Sequence, residues 1–157
     1  MNGFVHGIAT LPAVTNGVAA GIMLATVIGV VPLFVASDYG QYVRMVQFMW
    51  PRYDPTMPIL NSVSLVVDLV MAAWQPAAAR PWYLLAAVLL GVVMFISITR
   101  NVPVNKYVSR LDPANEPADW ATVDPRLGWQ RWNLIRTVVA LCAFGVNLIA
   151  ASAALAS

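Results

Sequence analysis

Charge is scarce in this chain: Asp, Glu, Lys and Arg make up only 10% of its 157 residues, where an ordinary soluble domain has roughly a quarter. That shortage removes the solvated surface a soluble protein needs and argues for a bilayer as solvent. Cysteine occurs once, at Cys142, which excludes an intrachain disulfide and leaves the redox compartment unreadable. Histidine also occurs once, at His6. A His-rich or thiolate metal site therefore has too few ligands, and no protein-bound metal or other cofactor is expected. A net charge of +2 gives no reason to invoke a nucleic-acid partner. The N-terminus lacks the basic region that opens a secretory signal, so the first apolar segment reads as retained.

What the chain has in quantity is apolar sequence, 60% of its residues, with a mean hydropathy of +0.71. Four apolar segments cover roughly 14–36, 57–74, 82–99 and 134–154. Each is close to the ~20 residues that cross ~30 Å of hydrocarbon at 1.5 Å per residue. The expectation is a single domain over 1–157: all-α, an integral membrane antiparallel four-helix bundle in contact with lipid. An even number of spans puts both termini on one side. The 37–56 loop carries Arg44 and Arg52, the 100–133 loop is richer still, and the intervening loop has only Arg80. The positive-inside tendency then places loops 37–56 and 100–133 in the cytoplasm and both termini outside.

Segment 1 has a small residue at every fourth position: Ala13, Gly17, Gly21, Ala25 and Gly29. Such a ridge permits close helix approach, inside the bundle or, at Gly17/Gly21, in a homo-oligomer or larger membrane complex. Pro32 lacks an amide donor and predicts a kink or an end there. From Tyr39 to Trp50 the apolar residues follow amphipathic-helix spacing, which predicts a short interfacial helix stopped by Pro51. It can serve as an anchor or as a lid over the bundle mouth. The acidic loop Leu111–Pro125, with its three prolines, reads as a solvated connector. Asp124-Pro125 reads as a cap and first residue of a final helix about 30 residues long.

Polar residues inside such segments are expensive and point inward. Asn61, Ser64 and Asp68 share one face of segment 2. Asp68 lies about 16 Å beyond Met57, near the midplane. It reads either as a proton acceptor or substrate contact, or as a neutral, hydrogen-bonded structural group. On segment 3, Gly91, Met94, Ile98, Asn101 and Asn105 form one seam. On segment 4, Trp129, Asn133, Arg136, Ala140, Ala143, Asn147, Ala150 and Ala154 form another, small or polar throughout. Two polar layers follow: a deep one of Asp68 and Asn147, with Ser64 beside it, and one at the mouth. The mouth layer holds Asn61, Asn101, Asn105, Asn133 and Arg136, with Trp129 covering it. Its other reading is purely structural, with the asparagines as helix caps, the tryptophans as an interface belt, and Arg136 at phosphate headgroups or paired with Asp54.

Four places in the chain resemble the anthrone oxygenase-like family of small four-helix membrane proteins. These are Gly17-Val-Ala-Ala-Gly21 leading to Pro32; Asp54-Pro-Thr-Met-Pro58; Asn101-Val-Pro103-Val-Asn105; and Trp129 with Trp132, Asn133 and Arg136. The mostly bacterial membership implies an inner (plasma) membrane. The resemblance also implies oxidation of a lipophilic aromatic, an anthrone or hydroquinone, by molecular oxygen. An anthrone enolate reacts with oxygen without a metal, so the site needs a base, an oxyanion donor and an apolar slot. Asp68, alone or with Asn147, is the base expected; Arg136 with Asn101 or Asn105 is the oxyanion donor; Trp129 stacks on the ring. The competing readings are a non-catalytic membrane subunit or lipid-binding scaffold and, third, a transporter, which a single buried carboxylate disfavours.

Overall fold

The computed structural model describes residues 3–156, with side chains from residue 7 onward; the side chain of His6 lies outside the described residues. All regular structure among the described residues is helical. α1 (Gly3–Ala25) passes through a π-helical turn at Thr26–Val30 into α2 (Val31–Ala36). The amphipathic α3 (Tyr39–Tyr53) follows, then α4 (Thr56–Trp74). α5 (Arg80–Ile96) passes through a second π turn at Ser97–Asn101 into α6 (Val102–Val108). A short α7 (Trp120–Val123) precedes the long α8 (Arg126–Leu155). Four stretches are long and apolar enough to cross a membrane, Gly7–Ala36, Tyr39–Trp74, Arg80–Val108 and Trp120–Leu155. α1 and α5 each pack against both α4 and α8, so the four long helices close into a ring in chain order. The chain is the four-helix membrane bundle expected.

The small seam of α8 faces that ring. Trp129, Asn133, Ala140, Ala143, Asn147, Ala150 and Ala154 are all buried, and Thr137 joins them. Short side chains let α1 and α5 approach α8 closely, which is how helices pack where burial alone gives no advantage over lipid. Only part of the α1 ridge takes part. A Cβ on Gly17 would lie 2.8 Å from the Phe144 ring on α8, whereas Gly21 and Gly29 have open space around them. Ala19, Ala20 and Met23 carry the packing instead.

Both π turns end two residues before a proline, Pro32 and Pro103. A proline ring clashes with the carbonyl four residues back, and one extra residue in the preceding turn relieves that clash. The helices therefore continue past their prolines. The insertion also shifts the buried face: on the third span it steps from Ile96 to Asn101, five residues on. Ile98, expected on the inner seam, is 64% exposed, while Asn101 is buried.

Three boundaries differ from expectation. Pro51 does not stop α3, which runs on to Tyr53. Pro51 faces outward, where water can satisfy the carbonyl its missing amide frees. Helix α8 begins at Arg126; Asp124 caps it from one position further out, its Oδ1 accepting from the Arg126 amide at 3.0 Å. The 111–125 connector is anchored rather than free. Trp120 on α7 is buried against Tyr39 at 4.8 Å and Tyr42 at 6.2 Å between ring centroids. Tyr39 donates to the Asp112 carbonyl and Gln47 to that of Leu111, both at 2.9 Å. Gly40 is required where loop and helix meet, since a Cβ there would lie 2.7 Å from the Pro113 oxygen.

Arg126 locks this cap to the bundle. It pairs with Asp124 at 2.6 Å, donates to the carbonyls of Phe34 and Ser37 at 3.1 and 2.6 Å, and sits over the Tyr42 ring. Hydrogen bonds of charged groups contribute about 1.5–3 kcal/mol. Arg126→Ala is therefore expected to destabilise the protein by about 2–3 kcal/mol, lowering the unfolding midpoint by roughly 5–10 °C in a thermal melt. A midpoint within 1–2 °C of wild type would show that the clamp is not holding α2, α3 and α8 together.

Candidate active site

A cavity of about 180 Å³ lies at the loop end of the bundle, against Phe34, Val46 and Trp129 of the aromatic cluster. That is close to the ~150 Å³ of an apolar protein cavity known to hold benzene. Five elements wall it. α1, its π turn and α2 contribute Met23, Thr26 and Phe34; α3 contributes Met49, Trp50 and Tyr53; and α4 contributes Met57 and Asn61. The α5–α6 span contributes Met94, Ser97, Asn101 and Asn105, and α8 contributes Trp129 and Arg136. α3 thus acts as the lid: its buried edge, Tyr39 to Val46, packs on the aromatic cluster, and its last turns close the cavity. Phe34 ties the wall to the aromatic cluster behind it, 5.6 Å from Trp129 in the lining and 5.3 Å from Tyr42 outside it.

The polar groups in this apolar chamber are under-satisfied. Asn61 Oδ1, both amide atoms of Asn101, Trp129 Nε1 and Arg136 Nε are buried and have no hydrogen-bond partner. Most buried polar atoms in folded proteins do have one. Arg136 is half-buried, donates to Ser97 Oγ at 3.2 Å and to Asn133 Oδ1 at 2.5 Å, and has no carboxylate partner among the described residues. An arginine inside a bundle without a counter-ion is costly unless an anion reaches it. Both π turns border the cavity, through Thr26 and Val30 on one side and Ser97, Ile98 and Asn101 on the other. The local widening turns Ser97 and Asn101 inward together, so Ser97 can orient Arg136.

The structure brings together Asn61, Asn101, Asn105, Trp129 and Arg136 in one lining, with Asn133 directly behind Arg136. Asp68 and Asn147 are not in that lining. They form a separate layer, Asn147 Nδ2 standing 3.5 Å from Asp68 Oδ2, at the outer limit of a hydrogen bond. The reason is depth: the cavity reaches Asn61 on α4, and Asp68 lies seven residues further, about 10 Å along the axis. The carboxylate that does line the cavity is Asp54, at the turn between α3 and α4. Sequence reasoning also passed over Ser97 and Asn16. Ser97 is one residue in an otherwise apolar run, and its role depends on the π turn. Asn16 is fully buried with neither amide atom partnered. Its signal was available: an asparagine inside an apolar span.

Among the described residues no group of three or more His, Cys, Asp or Glu is placed to hold a metal ion. Residues 47–146, well over half of the chain, match the model of the anthrone oxygenase family. No curated protein and no solved structure matches. The matched stretch runs from the last turns of α3 into α8 and so contains Met49, Trp50, Asp54, Asn61, Asn101 and Arg136.

Proposed function

The chain belongs to the anthrone oxygenase family, and from that premise we propose that it oxidises a lipophilic aromatic ketone of the anthrone type with molecular oxygen. One observation carries the reading. An apolar, aromatic-walled cavity is bordered by an arginine and by buried amide and indole groups that, among the described residues, have no counter-ion and no hydrogen-bond partner respectively. An enolate with its ring in the slot and its oxygen toward Arg136 and Asn101 satisfies that set.

The chemistry needs little from the protein. A base removes one proton from the methylene, and the electron pair moves into the ring ketone as an enolate. The enolate pair forms a bond from carbon to dioxygen while the O=O π bond breaks and its pair moves to the outer oxygen, giving a peroxide that is then protonated. Loss of the remaining hydrogen on that carbon, with O–O cleavage, leaves a second ketone and releases water. One substrate and one dioxygen give one quinone and one water. Arg136 and Asn101 stabilise the enolate oxygen, Trp129 and Trp50 hold the ring plane, and Asp54 is the base. Asp68, the base expected from sequence, lies outside the lining, so its role is decided by comparing the two variants.

Purified protein in detergent or nanodiscs, tested with a panel of anthrones and hydroquinones, is expected to consume one dioxygen per anthrone oxidised, without releasing hydrogen peroxide. A folded protein that gives no substrate-dependent oxygen uptake over that panel would exclude this function.

A further inference from the structure

A second polar site lies deeper in the bundle, apart from the proposed reaction and independent of it. Asn16, Ser64, Asp68 and Asn147 are each 1% exposed or less. Three contacts tie together the helices that carry them at two adjoining levels, Ser64 with Thr15 at one and Asp68 with Asn147 a turn further on. Thr15 Oγ1 lies 2.6 Å from Ser64 Oγ, tying α1 to α4; Asn147 Nδ2 lies 3.5 Å from Asp68 Oδ2, tying α4 to α8. Gly17 lies against Phe144, tying α1 to α8. Asn16 falls between Thr15 and Gly17, one helical turn of α4 separates Ser64 from Asp68, and Asn147 follows Phe144 by a turn of α8.

The free atoms at these levels are mostly oxygens. Among the described residues Asn16 Oδ1, Asp68 Oδ1 and Asn147 Oδ1 have no partner, and the free donor beside them is Asn16 Nδ2. The hydroxyls of Ser64 and Thr15 also reach carbonyls of their own helices, so each retains lone pairs. Asp68 has no cationic side chain to neutralise it. No Lys or Arg occurs in residues 7–36, 56–74 or 81–99, and Arg136 is eleven residues from Asn147 on α8, about 16 Å away. What α5 turns toward the ring at this depth is Ala86, Ala87 and Leu90, with the buried Tyr83 a turn further out, its hydroxyl donating to the Ala9 carbonyl at 2.9 Å. A carboxylate in such surroundings is neutralised by a proton or by a cation.

We propose that Asn16, Ser64, Asp68 and Asn147 form a buried binding site for a monovalent cation, sodium, at mid-bundle. The donor set is all oxygen, which suits a hard cation rather than a soft one. It carries one negative charge, which a single positive charge balances and a divalent ion does not. Carboxamide and hydroxyl oxygens supply the rest of the shell in place of water. A bound ion would join α1, α4 and α8 below the cavity without entering it.

The test is thermal unfolding of the full chain in sodium, potassium or choline chloride at matched ionic strength and fixed pH. Ligand linkage predicts that sodium raises the midpoint in a saturable way, by roughly 5–10 °C at one hundred times Kd. Choline is expected to do nothing. Asp68→Asn, which keeps the shape and removes the charge, is expected to lose the sodium response, and Ser64→Ala to shift it to higher sodium concentrations. Equal midpoints for the wild-type protein in all three salts overturn the proposal and leave a proton as the neutralising species. A sodium response that survives in Asp68→Asn places the ion elsewhere and overturns it as well. The wild-type salt comparison decides even where a variant does not fold.

Discussion

Arg136→Ala is expected to lower kcat about 10²–10³-fold while leaving the bundle folded. Removing one donor from a preorganised oxyanion site typically costs about 2.7–4 kcal/mol of transition-state stabilisation. Arg136 has the attributes of such a donor. Ser97 and Asn133 hold its terminal nitrogens, its Nε is unpartnered, and it pairs with no carboxylate among the described residues. Ser97 and Asn133 fix the guanidinium plane before substrate arrives, so little reorganisation is needed as charge develops. Arg136→Lys keeps the charge but loses the planar fork, and is expected to recover only part of the rate. Oxygen uptake under saturating substrate, with circular dichroism and gel filtration as fold controls, measures this. A kcat within threefold of wild type in a folded Arg136→Ala protein removes the arginine from the chemistry and leaves it a headgroup anchor.

The geometry behind that prediction depends on two departures from regular helix. Without the π turn at Ser97–Asn101, the buried stripe of the third span would continue in steps of three and four from Ile96, and Asn101 would not be its next buried residue. The prolines that follow both π turns are what hold the departures in place. A motif of two asparagines around Pro103 thus has a mechanical meaning: the proline enforces the insertion, and the insertion delivers Asn101 to the cavity.

Much of the fold was legible because a bilayer leaves few choices. Four apolar runs of the right length must be helices, since no other backbone satisfies its own hydrogen bonds there with strands absent. The α8 seam was legible because it is one uninterrupted helix whose period never slips; each seam position except half-buried Arg136 is buried. The third span was not, because its period does slip, and a seam drawn at constant spacing sent Ile98 inward and missed Ser97. Trp120 was hidden for another reason. It sits in an acidic, proline-containing loop whose composition reads as solvated, and only its tertiary contacts with Tyr39 and Tyr42 reveal an anchor. The candidate base was chosen by burial rather than by reach. Burial marks Asp68 as unusual, but unusual and near the substrate are different properties, and only the cavity's extent separates them.

That distinction gives the last expected result. Asp54→Asn is expected to lower kcat by about 10²–10⁴, the range spanned by a positioned general base, whereas Asp68→Asn stays within a few-fold of wild type. Asp54 is the carboxylate in the cavity lining, on a turn between α3 and α4 that also sets the lid. Asp68 lies about 10 Å along α4 beyond Asn61, where the cavity ends, too far for proton transfer without an intervening group. The sign of the pH response separates base loss from misfolding. Removing the base leaves substrate ionisation to the solvent, so Asp54→Asn should regain activity as pH rises and hydroxide forms more enolate. Arg136→Ala should not, because its defect lies in stabilising the anion once formed. The measurement is oxygen uptake as a function of pH for wild type, Asp54→Asn, Asp68→Asn and Arg136→Ala. If Asp68→Asn is inactive and Asp54→Asn is not, the base returns to Asp68 and a proton path must link the two polar layers through Asn61 and Ser64, which lie between Asp54 and Asp68 on the buried face of α4.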